Sequence, residues 1–291
     1  MSKAAWLARR IALAVAALAV AAATGRAQSL SYVGGLQYAT GDFIFTQRTW
    51  SASLSNGLSW SAGRLRASAS LPLVMQPAGW LQYSGAGMMV PTGGIPGSGS
   101  VSRNNPGTGS GMHGGTMTPS SDMAFSGVGF GDPIGRIDLA FTQPGAERPQ
   151  LSFVGAAKAP VANVNKGFGT GKWDVGAGLS SAVNVASISV FAEAVYWKLG
   201  NPPGATLRNA VAFALSVGRT LPRSRWSVLG TVSGASSLST GLEAPVQAGM
   251  GLGYLLQSGS SVFVTAAAGL TRTAPAVSTG LGWRIPLGKN R

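Results

Sequence analysis

The chain has 291 residues, no cysteine, 43 glycines and a formal net charge of +14; 45% of it is hydrophobic and only 10% is charged. The absence of cysteine excludes disulfides and thiolate metal sites. A water-soluble domain normally has about 25% charged residues, so a surface fully covered by water is disfavoured. Beyond residue 27 the sequence contains no run of about 18 apolar residues, so it predicts no transmembrane helix and favours strands that face lipid.

Residues 1–27 are typical of a secretory signal peptide. The segment opens with three basic residues, Lys3, Arg9 and Arg10. A 13-residue apolar run follows, too short for a membrane span of about 20 residues, and Gly25-Arg26-Ala27 offers small residues at the cleavage positions. The alternative is an anchored N-terminal helix. Cleavage removes four of 22 basic residues and leaves 18 against 8 acidic ones, a net +10 that in an exported chain indicates anionic lipid headgroups and no nucleic acid.

From residue 30 onward, bulky apolar residues alternate with serine, glycine and arginine at a period of two. Residues 50–60 show the pattern clearly, and only Asn56 interrupts their apolar row. This periodicity is typical of strands with one apolar face. Residues 28–291 are therefore predicted to be all-β, as a transmembrane antiparallel up-and-down β-barrel with lipid outside and a polar interior. Aromatic residues near the predicted strand ends or on the outward row, Trp197 among them, are expected in interfacial girdles. The alternative is a soluble β-sandwich with its aromatic residues in the core.

About twelve strands are predicted, at 30–40, 48–60, 62–74, 128–141, 149–160, 172–184, 186–198, 208–219, 224–236, 244–257, 260–272 and 275–286. Their connections alternate between longer and shorter, which is typical of barrels with long outer loops and tight periplasmic turns. An even strand count places both termini on the periplasmic side. Residues 75–127 are rich in glycine, serine, proline and threonine and are predicted to form a flexible extracellular or plug-like loop.

Charged residues are concentrated around residues 127–174. The strand periodicity predicts that seven charged side chains face one wall of the lumen: Asp132, Arg136, Asp138, Lys158, Lys172, Asp174 and Glu193. Charges in such an interior persist when they are paired. Two interpretations follow, a polar constriction that selects solutes and an ion-pair network that makes the barrel rigid.

Three motifs in this region carry a resemblance to a known family: Gly129-Phe130-Gly131-Asp132, Lys158-Ala159-Pro160, and residues 166–174 with the sequence KGFGTGKWD. In this order they resemble the MetA-like outer-membrane barrel transporters assigned to the phenol-degradation meta pathway. The chain departs from the family pattern at Val161, where the family has threonine, and at its end, which lacks a terminal aromatic residue. The resemblance implies passive transport of small organic solutes. Outer-membrane lipids and the barrel-assembly machinery are the other expected partners.

No catalytic site and no cofactor are predicted. The single histidine, His113, lies in the 75–127 segment, so a Ser–His pair would need that segment to fold against a lumen serine. Met112, His113 and Met117 together offer weak ligands for a soft metal such as Cu(I), but methionine also serves as flexible apolar filler. The predicted function is an outer-membrane channel for small organic solutes, aromatic or hydrophobic ones among them. The alternatives are a closed structural or surface-binding barrel, and soft-metal capture.

Overall fold

The computed structural model describes residues 28–43, 48–77, 81–83, 89–91, 125–142, 148–164, 168–201, 207–238 and 241–288. The strands of these residues are β1 (Gln28–Gly41), β2 (Thr49–Ala62), β3 (Leu65–Pro77), β4 (Leu81–Tyr83), β5 (Met89–Pro91), β6 (Phe125–Phe130), β7 (Ile134–Ala140), β8 (Gln150–Lys158), β9 (Asp174–Val185), β10 (Ile188–Lys198), β11 (Ala210–Thr220), β12 (Trp226–Ala235), β13 (Val246–Leu255), β14 (Ser261–Gly269) and β15 (Val277–Pro286). The predicted signal peptide and the soft-metal candidates Met112, His113 and Met117 lie outside the described residues.

The strands close into an antiparallel barrel. Each barrel strand pairs with its neighbours in the chain, and β1 pairs with both β2 and β15, which joins the two ends of the sheet. Strands β6 and β7 occupy one wall position, because both pair with β3 and only residues 131–133 separate them. The wall therefore has twelve strand positions, as the sequence predicts. Strands β4 and β5 pair with each other outside the barrel sheet.

The alternating sequence determines which side chains face outward. Large apolar side chains on one row of each strand are exposed, for example Leu58 at 49% and Val175 at 52%. The opposite row of β2 contains only threonine, serine and glycine. Asn56, which interrupts the outward row, accepts a hydrogen bond from the Tyr32 hydroxyl and so has a partner on that face. Apolar exterior and polar interior are thus set by the same period of two.

The two ends of the barrel differ in their connections. One end, called here the turn end, has both barrel termini and tight turns such as 63–64 and 186–187, with Gly63 in the left-handed region at φ 57°. The other end, called the loop end, has the longer connections, including 159–173 and 199–209. This asymmetry agrees with the predicted alternation of connection lengths. Among the described residues, no helix is long and apolar enough to cross a membrane.

The interior has two sectors of different chemistry. The inward rows of β7–β10 carry most of the charged residues, whereas those of β13 and β15 are rich in glycine. The glycines of this second sector are Gly249, Gly251, Gly253, Gly280 and Gly282, and we call it the glycine sector. At these glycine positions the backbone, rather than a side chain, faces the interior.

Three details differ from the sequence predictions. Residues 75–77 belong to β3 and residues 125–127 to β6, so the strands extend into both ends of the predicted 75–127 loop. The side-chain phase reverses across residues 131–133, because Phe130 is exposed on the outer row whereas Ile134 lies on the inner row. Trp197, expected in an aromatic girdle, lies on the inward row and is only 5% exposed.

Candidate functional site

The first charged group of the interior is centred on Lys158, and we call it the lysine cluster. The Lys158 ammonium Nζ lies 2.7 Å from Asp132 Oδ2 and 3.4 Å from Asp174 Oδ2. It also donates a hydrogen bond of 2.7 Å to Thr170 Oγ1. All four side chains are almost fully buried. The cluster joins one cation to two carboxylates, and each of its charges has a close partner of opposite sign.

The strands bring these residues together by register. Lys158, the last residue of β8, is directly opposite Asp174, the first residue of β9. Asp132 comes from the break between β6 and β7, where the phase reversal turns its side chain inward. The cluster therefore lies at the loop end, where three wall positions meet.

Both carboxylates of the lysine cluster also hold a loop. Asp132 Oδ1 accepts hydrogen bonds of 2.9 Å from the backbone N–H groups of Val161 and Ala162. Asp174 Oδ1 accepts one of 2.8 Å from the N–H of Gly200. Buried charges are stable when their remaining hydrogen-bonding capacity is also satisfied. The arrangement fixes residues 161–162 and residue 200, at the starts of two loop-end connections, to the barrel wall.

The second charged group is centred on Arg136, and we call it the arginine cluster. The Arg136 guanidinium lies 2.6 Å from Asp138 Oδ1, two residues along the same strand. Through both terminal nitrogens it binds both carboxylate oxygens of Glu193 on β10. Such a two-point pair fixes orientation as well as charge. Unlike Lys158, the Arg136 side chain is 32% exposed, and each of its two carboxylate partners is 17% exposed.

Small residues make this long-range contact possible. Between β7 and β10 lie β8 and β9, whose inward rows present Ala156, Gly176 and Gly178 near the arginine cluster. A Cβ atom on Gly176 would lie 2.8 Å from the ring of Trp197, so this glycine also makes room for the indole. Because these side chains are small, they leave room for the Arg136 side chain to reach Glu193 across β8 and β9.

An apolar group fills part of the interior toward the loop end. It consists of Val154, Val195, Trp197, Leu199, Leu207, Ala210, Ala235 and Leu238. These residues belong to β8, β10, β11 and β12 and to the connections that follow β10 and β12. The interior is thus partly occupied by side chains on this side of the barrel.

The structure places six of the seven predicted lumen residues in the two clusters. Asp132, Lys158 and Asp174 form one, and Arg136, Asp138 and Glu193 form the other. Lys172 belongs to neither, because it lies in the segment before β9 with its side chain exposed. The period of two could not identify Thr170, because this residue lies in an irregular segment where alternation does not indicate which way a side chain faces. In the part of the chain that the structure describes, no group of three acidic or histidine side chains is arranged to hold a metal ion.

Fold comparison shows similarity to known outer-membrane barrels. The crystal structure of an outer membrane channel from Pseudomonas putida F1 matches with a TM-score of 0.57 and 10% identity, over 91% of this chain and 98% of that one. The KdgM porin in complex with oligogalacturonate gives a TM-score of 0.46 at 9% identity, covering 88% and 98% of the two chains. The CymD monoaromatic hydrocarbon channel gives 0.42 at 10% identity, covering 93% and 91%.

Sequence comparison adds no assignment, since no family model and no curated protein sequence matches the chain. The similarity to the Pseudomonas putida structure shows the barrel fold. The specific resemblance to MetA-like transporters stays a prediction.

Proposed function

We propose that this protein is an outer-membrane channel through which small organic solutes pass passively. The observation that carries the proposal is the solvent-accessible arginine cluster on the inner wall of a closed barrel with an apolar exterior. Rings and groups of charged side chains inside a pore select solutes by charge. The channel description of the Pseudomonas putida protein with the same fold supports the proposal, as does the resemblance to the MetA-like family.

The two clusters have different roles in this proposal. The lysine cluster is almost fully buried and holds two loops, so it stabilises the wall. The arginine cluster is partly exposed toward the interior, so a passing solute meets its charges. The structural and selective interpretations of the charged wall therefore apply to different residues.

A closed, non-transporting barrel is the second candidate. The apolar group around Trp197 favours it, because this group occupies part of the interior at the loop end. Under that alternative the exposed connections of the loop end would bind a surface partner. Conductance separates the two functions directly.

The test uses the full mature chain in planar bilayers and in proteoliposomes. We expect stepwise ion conductance, and swelling of proteoliposomes in small organic solutes. Arg136→Gln removes the cation between Asp138 and Glu193, so the permeability ratio is expected to shift toward cations. Lys172→Gln is the matched control, because it removes an exposed charge outside both clusters. Absence of conductance and of swelling above empty vesicles would favour the closed barrel.

A further inference from the structure

A cavity lies at the turn end of the interior, away from both charged clusters. Its volume is about 390 Å³, within the range of about 300–1,000 Å³ that small-molecule sites have. Its lining includes Thr220, Arg225, Ser227, Leu255, Ser261 and Phe263. These positions lie on the inward rows at the ends of β11–β14, with Arg225 just before β12. We call this cavity the mouth pocket.

One arginine, Arg225, lines the mouth pocket, and a second, Arg284, lies farther along the same row of the wall. The backbone carbonyl of Arg225 accepts a hydrogen bond of 3.0 Å from the Leu255 N–H, which aligns these two residues. Leu255 is opposite Ser261, and Ser261 is opposite Arg284. The side chains of Arg225 and Arg284 are both exposed. The lining of the pocket therefore has one guanidinium group, that of Arg225, whereas Arg284 lies beyond Ser261 and outside the lining.

One of these arginines is held in place. Arg284 Nε donates a hydrogen bond of 3.1 Å to Ser31 Oγ, and the Ser31 side chain is 1% exposed. The described residues that line the pocket include no carboxylate. The positive charge of this row is therefore not neutralised within the lining, and an anion that enters is stabilised by charge-assisted hydrogen bonds.

Phe263 provides an apolar surface beside this charge. Its side chain faces inward and is 46% exposed. The residues opposite it on the two neighbouring strands are Gly253 and Gly282, and a Cβ atom on Gly282 would overlap its ring. The ring therefore rests against bare backbone and keeps a face toward the cavity. An aromatic ring of a ligand packs favourably on such a surface in an offset arrangement.

We propose that the mouth pocket binds small aromatic carboxylates, with the carboxylate against Arg225 and the ring against Phe263 and Leu255. This inference rests on the proposed channel function and names the solute class that the turn end selects. The cavity combines a positive charge with an aromatic surface. A neutral hydrocarbon would contact only the aromatic surface, and an inorganic anion would contact only the charge.

Binding of benzoate to the detergent-solubilised full mature chain, measured by isothermal titration calorimetry, tests the proposal. Benzyl alcohol matches its shape without charge, and cyclohexanecarboxylate keeps the charge without the aromatic ring. We expect Arg225→Gln to weaken benzoate binding about tenfold, as loss of a hydrogen bond to a charged group does, and Arg284→Gln, outside the lining, to have a smaller effect. Phe263→Leu is expected to reduce the preference for benzoate over cyclohexanecarboxylate.

Arg219→Gln is the matched control. Arg219 lies at the same end of the barrel but on the outward row, opposite Ile188 and Val228. Its substitution is expected to leave benzoate affinity unchanged. A β-sheet circular dichroism spectrum equal to that of the wild type verifies that each variant is folded.

The outcomes separate this inference from the channel proposal. Equal affinity for benzoate and benzyl alcohol, or an Arg219→Gln effect as large as that of Arg225→Gln, overturns the mouth pocket as a carboxylate site. If the protein conducts and supports swelling but does not bind benzoate, the channel stands and the pocket assignment fails. If benzoate binds with the expected pattern but neither conductance nor swelling is found, the channel proposal fails and the site remains.

Discussion

Lys158 shows how a single residue can join several parts of this barrel. Its ammonium binds Asp132, Asp174 and Thr170, and the two carboxylates in turn accept hydrogen bonds from three backbone N–H groups. In a nearly solvent-free site, removing one charge leaves its partners without compensation, which costs more than the pair itself contributes. The stability of the barrel wall and of the two attached connections therefore depends on the side chain of Lys158.

Lys158→Met keeps the length of the side chain and removes its charge. We expect the free energy of unfolding to fall by about 3–5 kcal/mol, because Asp132 and Asp174 would remain buried without a cation. Guanidinium-induced unfolding of the protein in phospholipid vesicles measures the change. Lys172→Met serves as the control and is expected to change stability by less than about 0.5 kcal/mol, since its side chain is exposed. Equal effects of both substitutions would contradict a structural role of the lysine cluster.

At the level of residues, the sequence predicts whether a side chain points inward or outward better than it predicts which residues that side chain contacts. The period of two placed Arg136 and Glu193 on the inside, because facing depends only on alternation along a strand. Their contact depends on side-chain length and on small residues across β8 and β9, which no local pattern contains. Lys172 was expected inside because the strand was predicted to begin at residue 172, whereas β9 begins at Asp174.

The segment 159–173 behaves as an inserted element, because its described part contacts the inside of the wall. Phe168 is 2% exposed, and a Cβ atom on Gly129 would overlap its ring. A Cβ atom on Gly169 would lie 2.5 Å from Asp132 Oδ2, so the backbone approaches the lysine cluster closely there. The aromatic ring and the carboxylate of Asp132 thus attach the same segment at two points.

Phe168→Ala is expected to loosen this segment without unfolding the barrel. Loss of the buried ring removes one of the two attachments, and a segment with few buried contacts opens locally. Hydrogen exchange at the Val161 and Ala162 amides, which donate to Asp132, is expected to become at least about tenfold faster, equivalent to about 1.4 kcal/mol. Val161→Ala is the matched control, since that side chain is 70% exposed. Unchanged exchange of these amides in Phe168→Ala would show that Asp132 alone holds the segment.

The interruption between β6 and β7 was invisible to sequence periodicity. Residues 128–141 were predicted as one strand, yet the phase changes at 131–133 and Asp132 turns toward Lys158. A short irregularity inside an alternating run resembles continued alternation, because small residues such as Gly129 and Gly131 fit either face. The pairing of β3 with both pieces and the exposed side chain of Phe130 reveal the break.

For the whole molecule, closure depends on pairs that bring distant parts of the sequence together. Strand β3 pairs directly with β6, with Gln76 opposite Gly127, although about 50 residues separate them in sequence. The short strands β4 and β5 between them pair only with each other. Of the residues between β3 and β6 that the structure describes, none joins the barrel sheet.

Replacing residues 79–123 with a short Gly-Ser linker is expected to leave the barrel folded. A shorter connection costs less closure entropy, so the free energy of unfolding is expected to stay equal or to rise by up to about 1 kcal/mol. The measurement is guanidinium unfolding, with single-channel conductance recorded on the same preparation. An equal number of residues cannot be removed elsewhere, so the control is the wild-type chain cleaved by protease within 92–122. Failure of the shortened chain to fold would place an essential contact in the removed segment.

The global architecture was predictable because it follows from repeated, local patterns. Alternation of apolar and polar residues predicts the strands, and the low charge predicts an exterior that does not face water. The alternating connection lengths predict which end of the barrel carries the longer loops. The inward position of Trp197 follows from the same alternation, because Glu193 lies four residues earlier on the same inward row of β10. Alternation does not predict the room that the indole needs. Its place depends on Gly176 across the pair, a relation between two strands.

The glycine sector lets the width of the interior change by single mutations. A glycine codon becomes an alanine codon through one nucleotide change, and a methyl group at Gly251 would meet no atom closer than 3.4 Å. The same step at Gly249 would bring the new carbon within 2.6 Å of the backbone oxygen of Ala266, which the sheet cannot easily move. The sector thus contains some glycines at which natural variation can adjust the bore and others that the wall itself requires.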